Sequence, residues 1–333
     1  MRRASVPSRL SAGEEERTMD TEATHVLLVG GTGRFGHQLA SALLSRPGIH
    51  LHVLVRPHTR PESLEGLADQ GVTLVEGSLQ VARSLDSAVE GMDVVVSAVR
   101  GGHDVMVEGQ LRLLHAARRK GVMRFIPSDY SPDYFALREG EDPRLDWHRH
   151  VAEAVVDSGM RYTFVLCGAF MEVALSPAAH VFDLERGHVA YWGTGDEPFD
   201  VTSMNDVARF VAEAVTDRRA ENRRVELVGD VVTVNDVARR YEALTGRQLQ
   251  RVCRGTVEDL RRHLARASAP VDAAREGLVQ PHLLIQLAGR GRLQDPDADA
   301  FARRHPLSVR EYLEAMLRPW MASPGEASLP AHP

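Results

Sequence analysis

Lysine is nearly missing from this chain: of its 40 Lys and Arg residues, Lys120 is the one lysine. Cysteine is almost as scarce. Cys167 and Cys253 are the two present, which excludes a disulfide framework and suits a reducing compartment. No apolar run approaches the ~20 residues needed to cross a bilayer. The net charge of −6 makes no case for nucleic acid, which needs a concentrated basic face. The arginines between 218 and 266 are mixed with acidic and apolar residues, as on solvated helix faces. The histidines are scattered, and His148 and His150 lack the i, i+4 spacing of a helical metal pair, so no metal is expected. No Gly-x-Ser-x-Gly elbow occurs, which leaves hydrolase chemistry without support.

What is present is a globular composition, 43% hydrophobic and 26% charged over 333 residues, organised around residues 25–46. A short apolar run, 26–29, ends in Gly30-Gly31-Thr32-Gly33-Arg34-Phe35-Gly36, and an amphipathic segment follows at 39–44. Strand, glycine turn and helix come in the order that a dinucleotide site requires. Gly30 suits the sharp turn off the strand, Gly33 a close approach of backbone to pyrophosphate, and Gly36 close packing of the helix. The N–H groups opening the helix face negative charge. Residues 1–24 and 323–333 are polar and aperiodic and read as a disordered extension and tail.

Beyond the turn, apolar runs at 49–55, 72–76, 94–99, 124–126 and 162–166 alternate with helical segments at 84–89, 107–120 and 145–157. This alternation implies βαβ units and an α/β fold of the Rossmann type, with a doubly wound parallel sheet over 25–166. Ligands of such sheets sit at the carboxyl ends of the strands. The rhythm changes after residue 166. Residues 189–191, the turn 193–195 and residues 198–201 suggest an extended or hairpin segment, with a further short strand at 224–228. Ser203 and Thr233 each precede Asp by three places, as helix caps do. Residues 167–322 therefore read as a smaller α/β substrate lobe, with a possible return to the first domain near 203–217.

The end of the second strand discriminates between nicotinamides. An acidic residue there binds the ribose hydroxyls of NAD, whereas arginine accommodates the 2′-phosphate of NADP. Arg56 follows Val55, Arg60 is close behind, and no carboxylate intervenes, so the pattern points to NADP(H).

Five segments in order, GGTGRFG from Gly30, VLVRP from Val53, GVMRFIPSDY from Gly121, SGMRYTFVLCGAF from Ser158 and SMNDVARFVAEAV from Ser203, resemble the NmrA-like family of atypical short-chain dehydrogenases. The likeness is strongest to its isoflavone-reductase and phenylcoumaran-benzylic-ether-reductase branch, and it spans about residues 25–246. It implies an NADP(H)-binding domain with a C-terminal substrate lobe. In members that are enzymes it implies NADPH-dependent reduction of small, often aromatic, molecules. By that resemblance Thr32, Gly33, Arg34, Phe35 and Gly36 wrap the pyrophosphate and Arg56 holds the 2′-phosphate. Ser97, Ala98 and Val99 line the path to the nicotinamide, Pro127 and Ser128 lie beneath it, and residues 168–170, ending in Phe170, form a wall toward the substrate.

The chain departs from the branch at its helix-borne lysine, whose place falls at His148; a Tyr-x-x-x-Lys pair is absent too. His148 shares a helix face with Val151, Ala152 and Val155, so it points inward, and an inward imidazole beside a nicotinamide can donate a proton as hydride arrives. Tyr130 is a second candidate acid, with a pocket-lining aromatic as its alternative. Asp129 is expected to cap a turn, and Cys167 to pack. The first functional reading is a cytoplasmic NADPH-dependent oxidoreductase acting on a small-molecule substrate, with no nucleic-acid or membrane partner. The second is a non-catalytic NADP(H) sensor acting through a protein partner.

Overall fold

Alternate residues of β1 (Thr24–Val29) serve opposite sides of one sheet. Leu27 and Val29 enter one hydrophobic core, and Val26 and Leu28 enter the other. A strand buried on both faces needs the continuous apolar run seen in its sequence. The structure is a computed structural model in which residues 23–60, 64, 66–67, 70–267, 281–294, 296–297 and 305–322 are described. The expected tail at 323–333, and all but the end of the extension at 1–24, lie outside them.

Around β1 run β2 (Ile49–Val55), β3 (Thr73–Glu76), β4 (Val94–Ser97), β5 (Arg124–Ile126) and β6 (Arg161–Leu166). The connecting helices are α1 (Arg34–Leu44), α2 (Ala82–Ala88), α3 (Gln110–Arg119) and α4 (Pro143–Asp157), with a π-helical turn, Asp104–Gly109, leading into α3. Every pairing in this sheet is parallel, and its order is 3-2-1-4-5-6 followed by a seventh strand. This is the doubly wound α/β architecture, with the strand order reversing between β1 and β4.

The rest of the chain partly returns to this sheet. After β7 (Ala169–Phe170), α5 (Met171–Ala174), β8 (Phe182–Asp183), β9 (His188–Tyr191) and β10 (Phe199–Thr202), helix α6 (Met204–Ala214) packs against α1, and β11 (Arg223–Glu226) adds beside β6. Arg124 fixes that return. Its guanidinium, carried on β5 and almost wholly buried, donates to the carbonyls of Ala214, Val215 and Asp217, where α6 leaves its last turn. A cation there answers orphan carbonyls and the negative end of the helix.

Of the extended or hairpin segment expected over 189–201, the extended form is found: both strands form, but not as a pair. β9 pairs with β8 and, in parallel, with β13 (Gln250–Cys253). β10 instead lies between β7 and β12 (Asp230–Val232) in another sheet. The turn is held locally, since Glu197 accepts from the N–H groups of Thr194 and Gly195, and the strands leave it for separate partners. The two capping motifs are as read: Ser203 opens α6 and Thr233 opens α7 (Val234–Thr245). Helices α8 (Val257–Ala267), α9 (Pro281–Leu287) and α10 (Val309–Ala322) complete the described elements. Among the described residues no helix is long and apolar enough to cross a membrane.

At the end of the sheet remote from the glycine turn, His25 stacks on His50 at 5.0 Å, and its Nδ1 lies 3.3 Å from Nε2 of His52. Burial first, and then the charges of His25 and His50, hold His52 below the usual histidine value of 6.5. The unfolded chain therefore binds more protons, so stability present above that value is lost as pH falls through it toward the lowered one. Melting curves between about pH 8 and about pH 5 should show wild type losing more stability than His52→Gln does. Equal losses would contradict this.

Candidate functional site

The glycine turn meets its steric demands in different ways. Gly30 has φ of +92°, where a side chain is strained, and a Cβ there would overlap the carbonyl of Ala98 beyond β4. A Cβ on Gly36 would overlap the carbonyl of Gly30, so what this glycine allows is close packing of α1 on the turn itself. Gly33 differs: an added Cβ would meet only the Gly30 oxygen, at 3.4 Å. Gly33 is the N-cap of α1, no side chain caps that end, and no acidic residue lies in its first turn. The first N–H groups of a helix have no intrahelical acceptor, so this end offers positive charge to whatever lies before it. Thr32 is half-buried beside it and Arg34 exposed.

Phe35 turns its ring inward. The ring lies 4.6 Å from that of Tyr130 and 5.0 Å from that of Phe170, which ties the turn to the ends of β5 and β6. The Tyr130 hydroxyl donates to the Ser97 carbonyl at 3.1 Å. Burial, then the charges of Asp129 and Cys167, push its phenol far above the usual range. Its proton is thus directed at backbone, an arrangement suited to a pocket wall.

Ser97 is fully buried, and its Oγ has no hydrogen-bond partner among the described residues. Such a group is costly unless a partner arrives. Ala98 donates its N–H to Val29, and the Val99 carbonyl accepts from the Ser128 hydroxyl at 2.7 Å. Pro127 is buried, and the Ser128 N–H is taken by Oε1 of Gln110 at 2.8 Å. Gln110 went unremarked in the sequence, yet it sits on the buried stripe with Leu113, Leu114 and Ala117. The same inward-polar signal marks His148.

Arg56 is exposed just past β2, in a turn closed by Thr59, whose N–H and hydroxyl both donate to the Arg56 carbonyl. Its guanidinium and that of Arg60 make no ion pair among the described residues. Gly168, with φ of +67°, brings the end of β6 against the carbonyl of Asp200 on β10. Cys167 is buried, and burial first, then the charges of Glu172 and Asp129, push its thiol up. Lys120 is remote in role, since it pairs with Glu90 at 3.1 Å.

His148 is 6% exposed and Asp129 2%. Nδ1 of His148 lies 3.6 Å from Oδ1 of Asp129, and the Tyr134 hydroxyl donates to Oδ2 at 3.1 Å. The expectation that Asp129 caps a turn is corrected here. Asp133 caps it, accepting from the N–H groups of Phe135 and Ala136 over the 3-10 turn Tyr134–Ala136. Asp129 points inward because its two polar contacts lie there. Burial pushes its carboxyl up, and His148 and Tyr134 oppose that shift. Tyr134 is a participant that the sequence left unmarked. His150 is exposed.

With this geometry established, comparison with known proteins identifies relatives. The model of the NmrA-like family matches residues 22–274. Pinoresinol reductase 1 of Arabidopsis thaliana is 31% identical over 257 residues, 72% of this chain and 79% of that protein. A bifunctional pinoresinol-lariciresinol reductase of Forsythia intermedia is 28% identical over 246 residues, 68% of this chain and 78% of that one. Among solved structures, AtPrR2 with NADP+ and (+)pinoresinol superposes with a TM-score of 0.69 at 25% identity, covering 88% of this chain and 99% of that one. An isoflavone reductase superposes at 0.70 with 23% identity, covering the same shares, and shares the fold. The chain belongs to the NmrA-like family.

Proposed function

We propose that the chain is an NADPH-dependent oxidoreductase that reduces a small aromatic or carbonyl-bearing molecule by hydride transfer, in a cytoplasmic setting. One observation carries this reading: a buried imidazole, His148, set 3.6 Å from a carboxylate just past β5, at the end of the sheet that also presents the glycine turn. Kinship supports it, since the relatives are pinoresinol and pinoresinol-lariciresinol reductases, and one solved relative holds NADP+ with (+)pinoresinol.

The residues present fit the dinucleotide. Among the described residues, the uncapped start of α1, the Ser97 hydroxyl without a partner and Arg56 without an ion pair each lack what a bound phosphate or nucleotide supplies. In this reading the N–H groups of residues 32–36 and the Arg34 guanidinium hold pyrophosphate, and Arg56 pairs with the 2′-phosphate. Ser97, Ala98, Val99, Pro127 and Ser128 form the floor, and Phe170 with Tyr130 separates cofactor from substrate. Residues 25–166 form the cofactor domain, with α6 and β11 returning to it, and the substrate lobe is drawn from 167–322. The bound nicotinamide supplies hydride to an electrophilic carbon of the substrate. The electron pair displaced from that carbon takes up a proton from His148, so the product carries two added hydrogens and the imidazole is reprotonated from solvent.

Purified protein should oxidise NADPH with pinoresinol or a related aromatic substrate, and His148→Ala should lose about 10²-fold or more in kcat. NADPH bound tightly, with none of a panel of furofurans, enones, quinones and aromatic aldehydes reduced, would favour the sensor reading.

The cofactor site makes a paired prediction. Gly33→Ala should fold as wild type and bind NADPH more weakly, whereas Gly36→Ala should lower stability by about 1–3 kcal/mol through overpacking. Arg56→Ala should raise the Kd for NADPH about tenfold or more and leave that for NADH unchanged. Equal effects on both nucleotides would overturn the 2′-phosphate assignment.

A further inference from the structure

Asp129 is a carboxylate with no arginine or lysine beside it among the described residues. One oxygen is taken by the Tyr134 hydroxyl at 3.1 Å, and the other faces Nδ1 of His148 at 3.6 Å. An ionised carboxylate in such a place is costly unless it is paired. The one partner able to bring a positive charge to it is the imidazole.

The surroundings keep that geometry. Tyr134 is fully buried, and burial, then the charge of Asp129, pushes its phenol well above its ordinary range, so it stays a donor to the carboxylate. Its ring stacks on that of His148, with centroids 5.7 Å apart and planes 25° off parallel. Arg149, next along α4, donates to the carbonyls of Tyr134 and Leu137 and so clamps the 3-10 turn to the helix carrying His148. The 3.6 Å separation is about 0.6 Å longer than an ordinary N–H···O bond. Catalytic hydrogen bonds are often loose before ligands bind and tighten when they do.

We propose that Asp129, itself held by Tyr134, is the positioning residue of the reaction: it keeps the Nδ1–H of His148 directed at itself and so assigns proton delivery to Nε2. The inference rests on the reading of His148 as proton donor. It gives a physical reason why a histidine can stand where the family resemblance places a lysine. An ammonium is charged at neutral pH unaided, whereas an imidazole needs a neighbouring carboxylate to hold its tautomer and stabilise its cation.

The test reads the imidazole directly. In nitrogen-15 spectra of the full chain, neutral His148 should carry its proton on Nδ1, and Asp129→Asn should lower its titration midpoint. Asp129→Glu should restore part of that shift. His103, which pairs with Glu108 and is set against Trp147, and the α4 residues Arg144, Asp146, Arg149 and Glu153 all remain in these variants. An Nε2–H tautomer in wild type, or an unchanged midpoint in Asp129→Asn, would overturn the proposal whether or not a substrate is turned over.

Kinetics supply the second arm. Asp129→Asn should lower kcat about 10²-fold with the NADPH KM unchanged, Tyr134→Phe should lower it less, and the lower limb of the pH profile should move with the spectroscopic midpoint. Full activity in Asp129→Asn beside an inactive His148→Ala would reject the positioning role and leave the donor role standing. Full activity in His148→Ala would reject the donor role itself.

Discussion

The carboxyl end of the sheet is held by backbone pressed against backbone. α1 starts on the carbonyl of Gly30, Gly30 lies on the carbonyl of Ala98, and Gly168 lies on that of Asp200; a Cβ at Gly36, Gly30 or Gly168 would overlap those atoms. Side chains yield by rotating, whereas these contacts yield only if a strand or helix moves. The first two bring β1, β4 and the start of α1 to one point, and the third docks the smaller sheet on the end of β6. The uncapped helix start and the Ser97 hydroxyl, without a partner among the described residues, sit within this frame.

The second constraint is electrostatic. With lysine almost absent, the proton donor proposed for α4 is an imidazole and not an ammonium. His148 is buried on the apolar stripe of α4, and its Nδ1 lies 3.6 Å from Oδ1 of Asp129. Asp129 is in turn destabilised by the same burial and opposed in this by His148 and Tyr134. The cluster is therefore one interdependent unit, held by Arg149 through two backbone carbonyls and by the ring stacking of Tyr134 on His148.

Much of this was legible in the chain because it is written locally. Apolar runs with glycine punctuation mark the parallel strands, and the i, i+3, i+4, i+7 stripe turns His148 inward. What stayed hidden depends on partners distant in sequence. Nothing near Arg124 says that it will hold the end of α6, about ninety residues on. Asp129 follows Pro-Ser in a stretch that reads as a turn, and its inward course is decided by Tyr134 and His148, with the capping left to Asp133. Residues 189–201 read as an extended or hairpin segment, and their strands pair with β13 and β12, because turn chemistry specifies a reversal and not which strand pairs with which. Gln110 was within reach, since it lies on the same kind of apolar stripe as His148.

The most direct measurement is isotopic: the protein is given NADPH deuterated at C4, in each of its two prochiral forms, together with pinoresinol and related aromatic substrates, and products are weighed by mass spectrometry. One deuterium in the reduced product, from one of the two forms and not the other, is the predicted result. Tight binding of NADPH with unlabelled, unreduced substrate throughout would contradict the account and leave a protein that binds the nucleotide without turning it over.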